Sequence, residues 1–564
     1  MSQYFIGLST SGHDPAFSIA DSNGRIIFAE ASERFLQVKR AWGSAPDHTD
    51  HVVPVIEKII EADSEATFVI STSWTRVKQD LTGDGGSVIA SPFSGIISPK
   101  IGRWMMGIQA QIHTNSGHNI LSLFEERVTA QPMHFDHHQC HAVNAVYTAP
   151  FEDGLVLVVD GEGEVGSISL FRMKDRMLKR LWRSWGPGSL GTFYCWLTSL
   201  CGFNWVAGEE WKVMGLAAYG TPNLDLAEQL SDILAIEDGR PVFAEHEVVA
   251  KVESTLQPFQ RSANEPVESA ANLAATGQLV YQRYMNSIIS SLQKYDEENL
   301  VLSGGCALNS SYNGYLVAKS LFKQIHVPPA PADDGNAIGA ALLAWAKVSG
   351  NKEISKAQGA CYLGSFPDRK AITNTVNYSG WNSISLVNGS PKLIAEELAK
   401  GKIIGVFRGA AEFGPRALGH RSILADPRSG TMKDTINLKV KGREAYRPFA
   451  PMILEEHQSA WFEVDQYSPY MSFALPFRKD KAHLVPAVVH ADGTGRAQTI
   501  SQPIDPWLYE LVSEFFKLTG VPILLNTSFN VMGKPIVHSV QDAVSVFGTS
   551  GLDGLLLEDV YFSK

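Results

Sequence analysis

Two histidines in the segment DHHQCHAVNAVY could bind a metal ion. His137 and His141 stand four residues apart at the start of a helical pattern, so both side chains point from one face. Neutral imidazoles at that spacing suit a transition metal, although His138 is a rival ligand and a purely structural pair is an alternative. The third ligand must come from elsewhere in the chain. Asp333 or Asp334, where a strand ends and a helix begins, is well placed to supply it.

A second candidate site is basic. From Lys402 to Ala450 there are ten Lys or Arg residues and four Asp or Glu residues, in a chain whose net charge is −11. Such a surplus needs an anionic ligand or an internal acidic partner, and arginine forks match phosphate oxygens in pairs. Gly-Pro, Phe and Leu residues interleave the charges, which favours a shaped pocket over a solvated basic face. The candidate cations, and the neutral donors that follow the apolar strand PILL, are Arg416, Arg421, Lys441, Arg443, Arg447, Asn526, Ser528 and Asn530.

Three glycine-rich turns of the nucleotide-binding type precede this basic stretch. They are SGHDPAFS (11–18), DGEGEVGS (160–167) and LSGGCALNSSYNG (302–314). Glycine lets backbone N–H groups approach phosphates, and an acidic residue near a strand end can hold a cation or a ribose. A plain hairpin turn explains any one of them. Together, on a strand pattern that occurs at 4–30 and again at 154–185, they resemble the actin, sugar-kinase and Hsp70 superfamily, in which two ribonuclease-H-like halves clamp ATP.

The elements that must position these residues are those of an α/β protein. Short alternating strands such as FIGLSTS, PAFSIAD and GRIIFAEAS are followed by helical patterns near 51–62 and 267–294, and Asp136 is placed to cap the helix that carries the histidines. Residues 92–123 fit no simple period and are interpreted as a mostly helical insertion. A change of composition near 349–364 predicts a linker. We therefore expect a first domain over 1–352, a linker over 353–365 and a second domain over 366–564.

The overall composition excludes several classes of protein. The chain has 564 residues, of which 44% are hydrophobic and 19% charged, as in a globular protein of several domains. Its acidic balance argues against nucleic-acid binding, which needs a concentrated basic face. Five scattered cysteines without a CxxC pair are typical of a reduced protein. No signal peptide is visible and no apolar run reaches about 18 residues, so we expect a cytoplasmic protein without a membrane partner.

The motifs together resemble one known family, the O-carbamoyltransferases of the nodulation and antibiotic-biosynthesis type, whose members act on precursors such as those of tobramycin, cephamycin and novobiocin. The matching segments span nearly the whole chain, and FGPRALGHRSILADPR and LNTSFN are the most specific. They are SGHD (11–14), ASERF with Lys39, HHQCH (137–141), DGEGE (160–164), EEWKVMGLAAYG (209–220), LSGGCALN (302–309), PADDGNAIGAAL (331–342), FGPRALGHRSILADPR (413–428), VKGREAYRPFAP (440–451) and LNTSFN (525–530).

This resemblance implies an actin-like, ribonuclease-H-like duplicated domain similar to the tRNA-threonylcarbamoyl-transferring metalloprotein. A C-terminal α/β domain similar to the threonylcarbamoyl-adenylate synthases is expected to follow. The implied enzyme makes carbamoyl-adenylate from carbamoyl phosphate and ATP, with Mg²⁺, and passes the carbamoyl group to a hydroxyl of a small natural-product or sugar acceptor. Fe²⁺ is the implied metal, and a homodimer is an open alternative to a monomer.

The resemblance also assigns residues. His137, His141 and Asp333 match iron ligands. His13 and Lys39 match the carbamoyl-transfer site, where His13 is the candidate general base on the acceptor hydroxyl or a residue that only positions it. The residues around the bound adenylate are Glu162, Glu164, Gly304, Gly305 and Asn309. Those of the carbamoyl-phosphate and ATP site are Arg416, which we expect to be catalytic, and Arg421, Lys441, Arg443, Arg447, Ser528 and Asn530.

Three other functions fit parts of the sequence. One is a threonylcarbamoyl enzyme that modifies tRNA, which the acidic balance disfavours. Another is a kinase or ATPase of the actin superfamily with a regulatory basic domain, and a third is an inactive sensor of carbamoyl phosphate or nucleotide. The region between 74 and 128 carries no motif of the family. Our hypothesis is that it forms part of the acceptor pocket or a lid.

Overall fold

The computed structural model forms two compact units. The first comprises 1–33, 40–309 and 320–357, and the second comprises 34–39, 310–319 and 358–564. The residues that the structure describes are 2–75, 99–262, 264–319, 322–357, 361–444 and 446–564. Within these ranges, no helix combines the length and the apolar character that crossing a membrane requires.

The first unit contains two five-stranded sheets. Its strands, including a separate hairpin formed by the ninth and tenth, are β1 (Gln3–Leu8), β2 (Ala16–Ala20), β3 (Ile26–Ala31), β4 (Thr67–Thr72), β5 (Met133–His134), β6 (Gly154–Val159), β7 (Ile168–Lys174), β8 (Met177–Arg183), β9 (Leu234–Glu237), β10 (Arg240–Phe243), β11 (Asn299–Ser303) and β12 (Gln324–His326). One sheet has the order β3-β2-β1-β4-β5 and the other β8-β7-β6-β11-β12.

The two sheets follow the same plan. In each, the first strand pairs antiparallel with the second and parallel with the fourth. The third strand lies at one edge, antiparallel to the second, and the fifth lies at the other, parallel to the fourth. This repeated topology confirms the predicted α/β class and the duplicated, ribonuclease-H-like architecture of the first unit.

Helices alternate with these strands along residues 1–357. They are α1 (Ser32–Leu36), α2 (Thr49–Ala62), α3 (Pro99–Asn115), α4 (His118–Phe124), α5 (His137–Thr148), α6 (Leu190–Leu200), α7 (Glu210–Ala217), α8 (Leu224–Ser231), α9 (His246–Leu256), α10 (Ala271–Leu292), α11 (Ser310–Lys319) and α12 (Asn336–Ser349). The helical insertion predicted for 92–123 is confirmed from Pro99 onward, and 92–98 lie outside the described residues. Helix α11 belongs to the second unit, although its neighbours in the sequence belong to the first.

Close packing of α5 against α12 positions the candidate metal site. The sequence NAIGAALLAWAKVS gives α12 mostly small, apolar side chains, and its first ten residues are all buried. A Cβ atom built on Gly339 of α12 would lie 2.1 Å from the carbonyl oxygen of Cys140 in α5, so only glycine permits this approach. The start of α5, which carries the histidines, is thereby held near the start of α12, which follows Asp333.

The second unit is built on an eight-stranded mixed sheet of order β13-β22-β21-β14-β15-β20-β16-β19, with β17 and β18 forming a separate pair. These strands are β13 (Asn382–Ser385), β14 (Ile404–Phe407), β15 (Arg421–Ala425), β16 (Ala450–Leu454), β17 (Ala474–Pro476), β18 (Thr494–Arg496), β19 (Gln498–Ile500), β20 (Ile523–Ser528), β21 (Gly554–Leu557) and β22 (Val560–Ser563). Its helices beyond α11 are α13 (Arg369–Tyr378), α14 (Pro391–Ala399), α15 (Thr431–Ile436), α16 (Gln458–Trp461), α17 (Lys479–Ala482), α18 (Pro506–Thr519) and α19 (Val540–Thr549).

Candidate functional site

Four buried side chains converge in the first unit, and three of them are the predicted metal ligands. The Nε2 atoms of His137 and His141 lie 3.2 Å apart. Oδ1 of Asp333 lies 3.5 Å from the first and 3.3 Å from the second. Oδ2 of Asp160 lies 3.1 Å and 3.5 Å from the same two nitrogens. Each of the four residues offers one ligand atom, all of these atoms lie within 4.8 Å of one another, and all four residues are buried. We call these residues the ligand cluster.

The ligand cluster is assembled from the first turns of α5, the end of β6 and the short turn before α12. His137 opens α5, whose N-cap is Asp136, as predicted: its side chain accepts a hydrogen bond from the backbone N–H of Gln139 at 2.9 Å. Asp160 follows β6 directly, and its Oδ1 accepts from the backbone N–H of Gly305 at 2.8 Å. The first ligand helix and the end of the central strand are thus fixed by backbone contacts rather than by the ligand side chains alone.

The two carboxylates of the ligand cluster need compensating positive charge. Burial acts to lower the pKa of His137, but the charge of Asp333 and a hydrogen bond with Asp160 outweigh it and raise that pKa to about 10. The pKa of Asp333 lies well below its usual range, because the attraction of His137 outweighs burial. Two buried carboxylates without a compensating positive charge are strongly unfavourable. The cluster therefore favours protons on its imidazoles or a bound metal ion.

The geometry fits a metal ion. Ligand atoms bonded at roughly 2.0–2.2 Å to one ion lie about 3.0–3.5 Å from one another. The two imidazole nitrogens lie 3.1–3.5 Å from each other and from both carboxylates, and all four ligand atoms lie within 4.8 Å. Imidazole and carboxylate ligands together suit first-row transition ions. The side-chain nitrogen of Asn336 lies 3.2 Å from Nδ1 of His137, and its Oδ1 is buried without a hydrogen-bond partner in the described part of the chain. If the side-chain amide of Asn336 is flipped by half a turn, its Oδ1 accepts a hydrogen bond from Nδ1–H of His137. The Nε2 of His137 is then available to the ion.

The structure places His13 beside this cluster. Its Nδ1 lies 3.6 Å from Oδ2 of Asp333, 2.9 Å from Oδ2 of Asp14 and 3.0 Å from Nη2 of Arg40. Arg40 also donates to Asp14 at 3.1 Å, and the ion pair of these two residues holds the ring of His13. The side chain of His13 is nevertheless 23% exposed. Lys39, the other residue matched to the transfer site, is exposed and belongs to the second unit.

The residues matched to the adenylate have more varied surroundings. A Cβ on Gly304, whose φ is +88°, would lie 2.3 Å from the carbonyl oxygen of Val159, so this turn needs glycine to reach the end of β6. The carboxylate of Glu164 accepts from the backbone N–H of His137 at 2.9 Å, which indicates a role in fixing α5. Asn309 exchanges two hydrogen bonds of 3.1 Å with the amide of Gln278. Glu162 is half-buried in the turn after β6.

In the second unit, Lys441, Ser528 and Asn530 come together. A turn of π-helix, Asn437–Lys441, presents the buried Lys441, and β20 ends at Ser528. The Nζ of Lys441 donates to Oδ1 of Asn530 at 2.7 Å and to Oγ of Ser528 at 3.3 Å. Burial and the charges of Arg443, Arg447 and Lys39 lower the pKa of Lys441 well below its usual range. An anion at this place would stabilise the charged lysine.

Arg496, which the sequence did not single out, joins Arg416 and Arg443. Burial and the charges of these two arginines lower the pKa of Arg496. Burial lowers the pKa of Arg416 to about 10, and burial with the charge of Arg447 lowers that of Arg443 to about 9. Among the residues that the structure describes, no carboxylate pairs with Arg416, Arg443 or Arg496, and Nε of Arg496 is buried without a hydrogen-bond partner. We call Arg416, Lys441, Arg443, Arg447 and Arg496 the cation cluster.

Arg421 has a different environment from the cation cluster. Its side chain is fully buried in β15, and its guanidinium lies 3.9 Å over the ring of Phe407. Both terminal nitrogens donate to backbone carbonyls, at 2.7 Å to Arg408, 3.1 Å to Gly409 and 2.8 Å to Ser365. These contacts favour a structural role for Arg421 over the predicted role in ligand binding.

Replacing Arg421 with methionine should therefore reduce stability rather than ligand affinity alone. The loss of a charged donor from several buried carbonyls is expected to lower the free energy of unfolding by about 3 kcal/mol or more, measured by urea denaturation. Arg416→Met, which removes a cation without such contacts, is the matched control and should change stability much less. Equal stability of both variants would contradict the structural role.

Two family models match this chain. Residues 4–342 match the family model described as Carbamoyltransferase N-terminus, and residues 395–564 match the one described as Carbamoyltransferase C-terminus. The chain therefore belongs to the carbamoyltransferase family, and the predicted transferase class is confirmed.

Its relatives include proteins of nodulation and of antibiotic biosynthesis. The chain is 38% identical over 437 residues to nodulation protein NolNO of Sinorhizobium fredii, covering 76% of this chain and 63% of NolNO. It is 35% identical to nodulation protein NolO of Bradyrhizobium diazoefficiens, with 75% and 77% of the two chains covered. It is 28% identical to 3'-hydroxymethylcephem-O-carbamoyltransferase of Amycolatopsis lactamdurans, with 76% and 80% covered.

Proposed function

We propose that the protein is an ATP-dependent O-carbamoyltransferase that works in two half-reactions. The observation that carries this proposal is the pair of complementary clusters in one chain: one formed by five cations, the other by two imidazoles and two carboxylates. The first suits phosphorylated substrates, and the second suits a metal ion beside a candidate base. The similarity to an O-carbamoyltransferase supports a hydroxyl as the acceptor.

The first half-reaction is assigned to the second unit. Carbamoyl phosphate and water give carbamate and phosphate. A carbamate oxygen then attacks the α-phosphorus of ATP, forming carbamoyl-adenylate and releasing pyrophosphate. The cation cluster and Mg²⁺ bound to ATP would neutralise the phosphates, and the arginines can each hold two phosphate oxygens. Ser528 and Asn530, which contact Lys441 of that cluster, would add polar groups at the same place.

The second half-reaction is assigned to the first unit. The acceptor oxygen bonds to the carbamoyl carbon, the bond to AMP breaks, and the acceptor proton passes to a base. The ligand cluster would hold Fe²⁺, which as a Lewis acid would polarise the carbamoyl or phosphate oxygens. Asp14 and Arg40 hold His13 at Nδ1, so that Nε2 is the nitrogen available to the acceptor hydroxyl.

His13→Ala is expected to separate the two half-reactions. Carbamoyl-dependent release of pyrophosphate should persist, because the cation cluster is unchanged. Transfer to the acceptor should fall by about 100- to 10,000-fold, the usual contribution of a general acid or base. The two rates are measured by a coupled pyrophosphate assay and by mass spectrometry of the product. Equal loss of both activities would show that the role assigned to His13 is wrong.

The reaction products test the proposed function as a whole. Incubation with carbamoyl phosphate, ATP and a panel of hydroxylated compounds should yield AMP, pyrophosphate and phosphate, with a product heavier by one carbamoyl group. Formation of ADP instead would indicate a kinase or an ATPase. Salt-sensitive binding of tRNA would favour the alternative of a tRNA-modifying enzyme.

A further inference from the structure

Three aromatic rings form a row that leads from the ligand cluster to the surface of the first unit. His13 approaches Asp333 to 3.6 Å, and the centroid of its ring lies 4.8 Å from that of Trp42. The ring of Trp42 lies 5.3 Å from that of Trp104, with the two planes inclined by 31°. Trp42 is fixed, because its indole N–H donates to the carbonyl of Val206 at 2.7 Å. Trp104, on α3, is 44% exposed and ends the row.

Backbone hydrogen bonds fix the loops that carry this row, and several of their residues have an unfavourable backbone conformation. The loop that contains His13 is bonded to both sides of Trp42, from Asp14 N–H to the Arg40 carbonyl at 2.8 Å and from Gly43 N–H to the Gly12 carbonyl at 3.0 Å. Asp14, Arg40 and Ala41 have φ values of 51°, 57° and 39°, which are unfavourable for residues other than glycine. Strain of this kind persists where the surrounding structure imposes it, and it is concentrated at functional sites.

Helix α3 covers one side of the His13 loop. A Cβ on Gly12 would meet Cα of Gln109 and the side chain of Ile108, both at 3.4 Å, so the helix backbone approaches the loop closely. Trp104 lies on the same helix, which comes from the region that carries no motif of the family. The helix thus presents a large, partly exposed indole next to Trp42, whose ring contacts His13.

We propose that Trp42 and Trp104 form the binding subsite for the ring of the acceptor. A saturated ring that bears several hydroxyls would stack its C–H face on Trp104 and direct one hydroxyl to Nε2 of His13. This inference rests on the proposed function and adds the position and the class of the acceptor. Indole gives a broad, rigid contact face, and a cyclic alcohol loses less conformational freedom on binding than an acyclic one.

Two alcohols with six carbons and six hydroxyls test this inference: myo-inositol, which is a saturated ring, and sorbitol, which is open. Each is supplied with carbamoyl phosphate and ATP, and both pyrophosphate and carbamoylated alcohol are measured. We expect kcat/KM to be about tenfold higher for myo-inositol than for sorbitol, which is the size of effect expected from aromatic contacts. In Trp104→Ala this ratio should fall to about one, while pyrophosphate release stays unchanged.

Two further variants control for loss of structure. Trp104→Phe keeps an aromatic face and should retain most of the preference for myo-inositol. Trp185→Ala removes another tryptophan of the first unit, 68% exposed, and should leave the ratio unchanged. A ratio near one in the unaltered protein, the same ratio in Trp104→Ala, or pyrophosphate release without transfer to either alcohol would overturn the subsite. Absence of carbamoyl-dependent pyrophosphate release would overturn the proposed function, and this inference with it.

Discussion

His141→Ala should strongly reduce metal binding and carbamoyl transfer while the formation of carbamoyl-adenylate continues. The Nε2 of His141 lies 3.2–3.5 Å from the other three ligand atoms, so its removal leaves an incomplete site with two buried carboxylates. Loss of a direct ligand is expected to reduce bound iron, measured by elemental analysis of protein reconstituted with Fe²⁺, to a small fraction of the unaltered amount. Transfer should fall by about 100-fold or more.

His138 offers a matched control for this experiment. It lies on the same helix, is equally buried, and makes its contact with Oγ of Ser169 at 2.8 Å instead of with the ligand cluster. His138→Ala should keep bound iron and most of the transfer activity. If both variants lost iron equally, general damage to α5 would be the explanation, and the assignment of ligands would fail.

Arg416→Ala should impair the formation of carbamoyl-adenylate and leave carbamoyl transfer intact, the reverse of His141→Ala. Removing one member of the cation cluster is expected to slow pyrophosphate release by about 100- to 1,000-fold, because each preorganised donor stabilises developing phosphate charge. Transfer from carbamoyl-adenylate supplied directly should survive, since the ligand cluster and His13 are unchanged.

The control for Arg416 is an arginine of the same unit that already has a partner. Arg428 pairs with Asp426, with Nη2 to Oδ2 at 2.6 Å, so Arg428→Ala should leave both half-reactions close to normal. Loss of transfer from supplied carbamoyl-adenylate in Arg416→Ala would refute the assignment of the half-reactions to the two units.

The two histidines of the ligand cluster could be predicted from the sequence, because their local spacing determines that they share one helix face. Helical periodicity places His137 and His141 on one face. The position before a helix leaves Asp333 and Asp334 as alternatives for a third ligand, and only the family resemblance selects Asp333. Asp160 was identified only as part of a glycine-rich turn. Its signal is its position directly after β6, which pairs parallel with β11, so that the carboxyl ends of the two strands meet. Only the pairing of these strands shows that its side chain reaches the histidines.

The cation cluster shows where sequence reasoning ends. Charge counting grouped Arg421 with Arg416, but the carbonyls that bind Arg421 come from other segments, at 365 and 408–409, whose proximity depends on the folded sheet. Arg496 lies outside the stretch with the basic surplus, so its charge had no local signal. The membership of 34–39 and 310–319 in the second unit was equally hidden, because it depends on contacts distant in sequence.

The contact between Gly339 and Cys140 has a consequence for how the proposed metal site could change during evolution. Since bare backbone meets backbone there, the distance between the two helices cannot be tuned by exchanging one side chain for a slightly larger or smaller one. A change in the ion that the proposed site prefers would therefore require substitution of the coordinating groups themselves. The spacing of α5 and α12 is fixed by backbone contact, so the identity of the ligand side chains is the property that can change.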